Sequence, residues 1–168
     1  QRNFYATCFS YTSSKIHNLI RNILIVTNRE YKDLCLKQIP SIDSSNILCE
    51  PNMRNTAPCI AYASFKIQFE NANANIIVAP SDHIITNEDE FTRIVNECLQ
   101  VSRKNDCLIT LGIKPNRAET GYGYIQYDPR GKTEVEGVYK VKTFTEKPNF
   151  ELANQFLESG DFLWNSGM

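Results

Sequence analysis

Histidine is the scarcest of the residues that carry catalysis here, with only His17 and His83 in the chain. Neither histidine stands in a pattern from which a Ser/His/Asp or Cys/His nucleophile arrangement can be assembled. They also leave zinc without paired ligands at metal spacing, because no short Cys-x-x-Cys pair exists either. No apolar run approaches the ~20 residues of a membrane helix. No charge of one sign dominates: a formal net charge of -1 gives no electrostatic case for nucleic acid or an anionic membrane. Glycine is sparse, seven in all, with none paired at loop spacing near the start, where an α/β nucleotide-binding domain carries its phosphate loop.

Cysteine is present but unorganised. The six lie at positions 8, 35, 49, 59, 98 and 107, several inside apolar runs. They read as reduced, buried thiols acting as small hydrophobes in a cytosolic protein. With 168 residues, 42% apolar and 22% charged, the chain is long enough for one soluble domain with a sizeable core.

From residue 22 onward strands and helices alternate. Ile23–Thr27 and Asn46–Cys49 read as short strands, and Glu30–Gln38 as a helix with Tyr31, Leu34 and Cys35 on one face. Ala57–Glu70 is expected to be helical, with Ile60, Ala61, Ala63, Phe65 and Ile67 forming a broad apolar face. The run Ile76-Ile77-Val78-Ala79-Pro80-Ser81-Asp82 is a strand of the kind buried on both faces, opening onto one carboxylate. Asn87 or Asp89 then caps a helix through Arg103, with Phe91, Ile94, Val95 and Cys98 on one side. Cys107–Ile113 reads as a further buried strand. A hairpin follows, Tyr122–Tyr127 and Val138–Phe144, with its turn expected around Pro129-Arg130-Gly131, and then a helix over Phe150–Leu157. Residues 1–21 contain no confident strand. The rhythm predicts a three-layer α/β domain with a mixed, mostly parallel sheet, incomplete at both ends.

Four clusters hold the candidate chemistry. Asp82, at the C-terminal edge of its strand, is placed for a divalent cation or a ligand hydroxyl. Glu50-Pro51-Asn52-Met53-Arg54-Asn55-Thr56 links a strand to a helix, so backbone N–H groups can face a ligand there. Glu50 suits the N1–H and exocyclic amine of guanine. The plainer alternative has Thr56 capping the helix, Pro58 starting it and Arg54 solvated. Gly121-Tyr122-Gly123 lets the backbone approach a sugar, or merely forms a turn or bulge. Glu146-Lys147 can accept sugar hydroxyls and hold a phosphate, or be an ordinary strand exit. Asn165 adds a neutral donor and acceptor, or is a turn residue before Gly167. His83, beside Asp82 on an extended chain, points away from it and reads as a supporting hydrogen bonder.

Read in order, Ile25-Val26-Thr27-Asn28, Glu50-Pro51 with Arg54–Pro58, Ala79–His83, Leu111-Gly112-Ile113 with Pro115, Thr120–Ile125, Phe144 with Glu146-Lys147-Pro148, and Trp164–Met168 resemble the mannose-1-phosphate guanylyltransferase family over roughly residues 22–168. The resemblance implies a Rossmann-like nucleotidyltransferase domain, with a nucleotide-binding part over 22–120 and a sugar-phosphate part over 121–168. It implies the reaction of GTP with mannose 1-phosphate to give GDP-mannose and pyrophosphate, with Mg2+ as cofactor, and possible homo-oligomers.

By the same resemblance, Glu50, Arg54, Asn55 and Thr56 lie at the guanine and ribose. Asp82 ligates the metal, Gly123, Glu146 and Asn165 hold the mannose, and Lys147 holds its phosphate. The chain departs from the family in lacking its N-terminal glycine-rich signature and a second metal-binding aspartate, so these 168 residues alone are expected to be inactive. Pyrophosphorylases for another sugar and base, and a non-catalytic nucleotide-sugar-binding subunit, are the alternatives.

Overall fold

The computed structural model describes residues 6–11, 20–52 and 54–168, the first segment through its backbone only. The chain divides into two compact units, Gln1–Thr86 and Asn87–Met168.

The first unit holds β1 (Ala6–Tyr11), β2 (Ile23–Asn28), α1 (Lys32–Gln38), β3 (Ile47–Glu50), α2 (Thr56–Glu70) and β4 (Asn75–Pro80). Its sheet has the order β3-β2-β1-β4. β2 and β3 pair in parallel, while β1 runs antiparallel to both β2 and β4. Three of the four strands therefore point the same way. Side chains alternate between faces with a period of two. Leu24, Val26 and Leu48, with Ile76 and Val78, pack against Cys59, Ala63 and Ile67 of α2. Ile25 and Ile47, with Ile23, turn the other way to meet Ile42 and Cys35 and Leu36 of α1. Each such aliphatic side chain taken out of water contributes about 1.5–3 kcal/mol. Helices on both faces of one sheet are the α/β arrangement that the alternation of elements predicts.

Three expectations change in this unit. β1 lies within residues 1–21, where the pattern predicts no strand: its polar residues, Thr7 and Ser10, interrupt the apolar run. On α2 the buried seam is Cys59-Ala63-Ile67 alone, and Phe65 is 70% exposed, because only one sheet face meets the helix. On α1, Leu34 faces outward and Leu36 joins Cys35 in turning inward.

The second unit holds α3 (Glu88–Lys104), β5 (Gly112–Ile113), β6 (Tyr124–Lys132), β7 (Tyr139–Thr145), α4 (Phe150–Ser159) and β8 (Phe162–Asn165). Its sheet, of order β5-β8-β6-β7, is antiparallel throughout. The core is aromatic: Tyr124, Phe156, Phe162 and Trp164 surround Ala153, with Phe156 and Phe162 stacked at 3.9 Å. Asn87 caps α3, its side chain accepting from the Glu90 N–H at 3.1 Å. Glu88, Asp89 and Glu90 in the first turn and Arg103 and Lys104 in the last complement the helix dipole. Phe91, Ile94, Val95 and Cys98 are half-buried on one side, as their spacing predicts.

Here two expectations change. The Cys107–Ile113 strand shrinks to Gly112–Ile113, with Cys107 and Leu108 exposed. Its backbone has partners only where β8 and the chain end reach it, through Leu111 N–H to Met168 O and Ser166 N–H to Leu111 O. The turn of the hairpin also moves. Pro129-Arg130-Gly131 lies inside β6, where the register with β7 shifts. The chain reverses instead over residues 134–137, ending at Gly137 with φ 82°. Among the described residues, no helix is long and apolar enough to cross a membrane.

Candidate active site

In the first unit the site residues gather along one edge of the sheet. Register sets Leu48 beside Val26, Val26 opposite Ala6, and Ala6 opposite Pro80. Two residues onward, Glu50 lies beside Asn28, and Asp82 follows Pro80 by the same step. Glu50 and Asp82 thus lie at the same end of the sheet, by its two outer strands, Asp82 in the turn that follows β4. Those two strands are three strand spacings apart, about 14 Å.

Glu50 is half-buried, and burial pushes its carboxyl above the ordinary glutamate value. Arg54, Asn55 and Thr56 are exposed in the short passage to α2. Asn55 occupies the N-cap with φ 67° and ψ -167°, and its side chain makes no capping hydrogen bond. Backbone of that kind is essentially a glycine conformation and is costly for asparagine. Thr56 is the first helical residue rather than the cap, and Pro58 sits two residues inside α2. The N–H groups of Thr56 and Ala57 therefore face outward from the helix start, without a capping side chain. Asp82 and His83 are exposed in the loop after β4. Among the described residues no three His, Cys, Asp or Glu side chains come together as a metal cluster.

In the second unit three residues distant in sequence converge. Tyr124 pairs with both Thr145 and Trp164, so the residues just outside that row, Gly123, Glu146 and Asn165, meet at the same sheet edge. The Asn165 N–H donates to Gly123 O at 2.8 Å. A Cβ on Gly123 would stand 2.8 Å from Glu146 Oε2 and 3.7 Å from Asn165 Cβ. The absent side chain is what leaves the Glu146 carboxylate its position.

Lys147 follows with φ 41°, left-handed backbone that a lysine rarely adopts, and its Nζ lies 3.2 Å from Glu146 Oε1. Both side chains are mostly exposed, so this ion pair contributes little and yields readily to a ligand. Asp82 and Lys147 belong to different units.

Residues that pattern reading passes over support this edge. Glu119 Oε1 accepts from the Gly121 N–H at 3.0 Å, and the Tyr124 hydroxyl accepts from the Glu119 N–H at 2.9 Å. Arg117 pairs with Glu119 at 3.0 Å while its guanidinium lies 5.1 Å from the centre of the Trp164 ring. The Gly121 N–H and then the Arg117 guanidinium hold the Glu119 carboxyl below its usual range. Thr110 Oγ1 lies 2.9 Å from Asn165 Oδ1. Only a carboxylate two residues before a glycine would have hinted at the first of these; nothing in the sequence signals the Thr110 contact.

The family model described as nucleotidyl transferase matches residues 4–168. Mannose-1-phosphate guanylyltransferase RfbM of Salmonella typhimurium is 39% identical over 149 residues, which cover 86% of this chain and 30% of that protein. A mannose-1-phosphate guanylyltransferase of Escherichia coli is 38% identical over 147 residues, covering 86% and 31%. The crystal structure of a mannose-1-phosphate geranyltransferase from Thermus thermophilus superposes with a TM-score of 0.70 at 25% identity, over 84% of this chain and 39% of that one. The chain thus spans about 30% of the length of the curated relatives it matches.

Proposed function

The chain belongs to the nucleotidyl transferase family, and on that premise we propose that it serves the formation of GDP-mannose and pyrophosphate from GTP and mannose 1-phosphate. The observation that carries this reading is the convergence of Gly123, Glu146 and Asn165, next to Lys147, on one sheet edge. The names of the relatives, mannose-1-phosphate guanylyltransferases, support the choice of substrates.

Glu50 accepts from the N1–H and amine of guanine; its partial burial makes those hydrogen bonds stronger than in water. Arg54, Asn55 and Thr56 flank the base and ribose at the start of α2. Glu146 takes sugar hydroxyls, Asn165 adds a neutral partner, and Gly123 leaves room for the ring. Lys147 holds the sugar phosphate as a point charge and orients its oxygen. That oxygen attacks the α-phosphorus in line. The new P–O bond forms as the bond to the bridging oxygen breaks, and pyrophosphate leaves. No protein nucleophile is required.

Asp82, an exposed carboxylate at a strand end, has the hard-oxygen chemistry that Mg2+ takes from one or two carboxylates together with phosphates. When bound, the ion neutralises charge on the phosphate oxygens. Cys35, Cys49, Cys98 and Cys107 are free thiols, which supports a reducing, cytoplasmic setting.

A substrate panel with the full-length protein tests the reading. Pyrophosphate release with mannose 1-phosphate is expected to be fastest with GTP. Preference for UTP or dTTP would overturn the guanine assignment, and tight GDP-mannose binding without turnover would make the protein a non-catalytic sensor.

A further inference from the structure

An asparagine amide presents an acceptor on one side and a donor on the other, and a half-turn of the side chain exchanges them. At Asn165 that exchange is opposed by the Gly167 N–H, and the Thr110 hydroxyl anchors the orientation so selected. Its Oδ1 accepts from the Gly167 N–H at 3.2 Å. A backbone N–H can only donate, so a reversed amide would set two donors against each other. That hydrogen bond is long, however, and the closer contact is to the Thr110 hydroxyl at 2.9 Å, from a segment 55 residues upstream. Thr110 and Asn165 are both half-buried, where a hydrogen bond is stronger than in open water. The Asn165 backbone is already fixed by its N–H to Gly123 O at 2.8 Å. With Oδ1 committed twice, the NH2 group is what Asn165 has left to offer a ligand.

We propose that Thr110 is a positioning residue for the sugar-phosphate site: its hydroxyl holds the Asn165 carbonyl so that the amide NH2 is presented as a donor next to the acceptor Glu146. A donor and an acceptor side by side match a sugar hydroxyl, which accepts from one and donates to the other. A reversed amide would set two acceptors together and lose that match. The inference rests on the mannose 1-phosphate reading of this edge. The Thr110 hydroxyl has a second acceptor, Met168 O at 3.0 Å, so its single proton is shared between the amide and the main chain. Serine can make both contacts; valine, of nearly the same shape, can make neither.

The test is steady-state kinetics of the full-length protein. Thr110→Val is expected to raise KM for mannose 1-phosphate roughly five- to tenfold, the loss of about one hydrogen bond. The KM for GTP and kcat stay within about twofold, because the interaction is made equally in the ground and transition states. Thr110→Ala, a second hydroxyl-free variant, should behave the same way, and Thr110→Ser should restore the parent KM. In an Asn165→Ala background, Thr110→Val should add nothing. An unchanged mannose 1-phosphate KM in Thr110→Val, an equal rise in the GTP KM, failure of serine to restore, or full additivity in the double variant would each overturn the proposal. Asn165→Ala alone separates the failures. If it leaves the mannose 1-phosphate KM unchanged, the sugar-site reading falls and takes the proposal with it. If it raises that KM while Thr110→Val does not, only the role of Thr110 is lost.

Discussion

A carboxylate that must accept hydrogen bonds from a base works best where water is scarce, and there it also costs most to keep ionised. In the proposed reaction Glu50 stands in that position. Its folded pKa is raised above the ordinary 4.5 by burial, so it favours the folded state fully below that value. The advantage is lost as pH rises through the folded pKa, and at neutral pH the ionised group is a penalty. Glu50→Gln is therefore expected to melt slightly higher at pH 7, by no more than about 3 °C, because the group keeps much of its hydration. The gap should shrink below pH 4.5, while guanine nucleotide affinity falls. Scanning calorimetry at both pH values checks the sign. Asp161 is the opposite case: Gln126 and Ser159 hold its carboxyl low, so its contribution is present above the ordinary 3.8 and is lost as pH falls through the lowered value. Gly123 separates function from stability in another way. Its φ is not left-handed, so Gly123→Ala should change stability by under ~1 kcal/mol. The new Cβ would displace Glu146 Oε2, 2.8 Å away, and KM for the sugar phosphate should rise at least about tenfold.

Whole elements differ in how openly their residues announce them. α4 begins at Asn149, whose side chain accepts from the Leu152 N–H at 2.9 Å, and ends at Gly160 with φ 74°. Both signals are local and both are legible in the sequence. Because Ala153 and Phe156 of α4 carry the second core, Asn149→Ala should cost about 1 kcal/mol. That is a fall of about 2–4 °C in the melting midpoint, measurable by circular dichroism. β2 and β3 are readable from their apolar runs, and α3 from its period and its Asn87 cap. β1 is not, because Thr7 and Ser10 break its apolar run and only its place between β2 and β4 makes it a strand. The hairpin turn misleads because proline, arginine and glycine are ordinary turn chemistry. In the folded chain Asp128 Oδ1 accepts the Arg130 N–H at 3.1 Å and absorbs that geometry as an irregularity within β6. Phe65 misleads on α2 because periodicity defines a face but not how much of it another layer will cover.

At the scale of the molecule, the candidate site is legible in the sequence as a set of residues but not as an arrangement. Gly123, Glu146 and Asn165 can be named from their motifs. That they meet depends on the β6–β7 and β6–β8 registers, which are long-range facts that no local pattern encodes. The same pairings lie wholly within the second unit. Every strand of its sheet finds its partners within Asn87–Met168, and its core of Tyr124, Ala153, Phe156, Phe162 and Trp164 comes wholly from those residues. A polypeptide of residues 87–168 is therefore expected to fold alone. Its marginal size predicts a stability of only a few kcal/mol. Trp164 is the single tryptophan of the chain and is 7% exposed within that core, so its emission reports this unit and no other. The isolated polypeptide should show blue-shifted emission and one cooperative urea transition that coincides with loss of its circular dichroism. Solvent-exposed emission with a gradual, non-cooperative loss of ellipticity would mean that this core needs residues outside 87–168 to form.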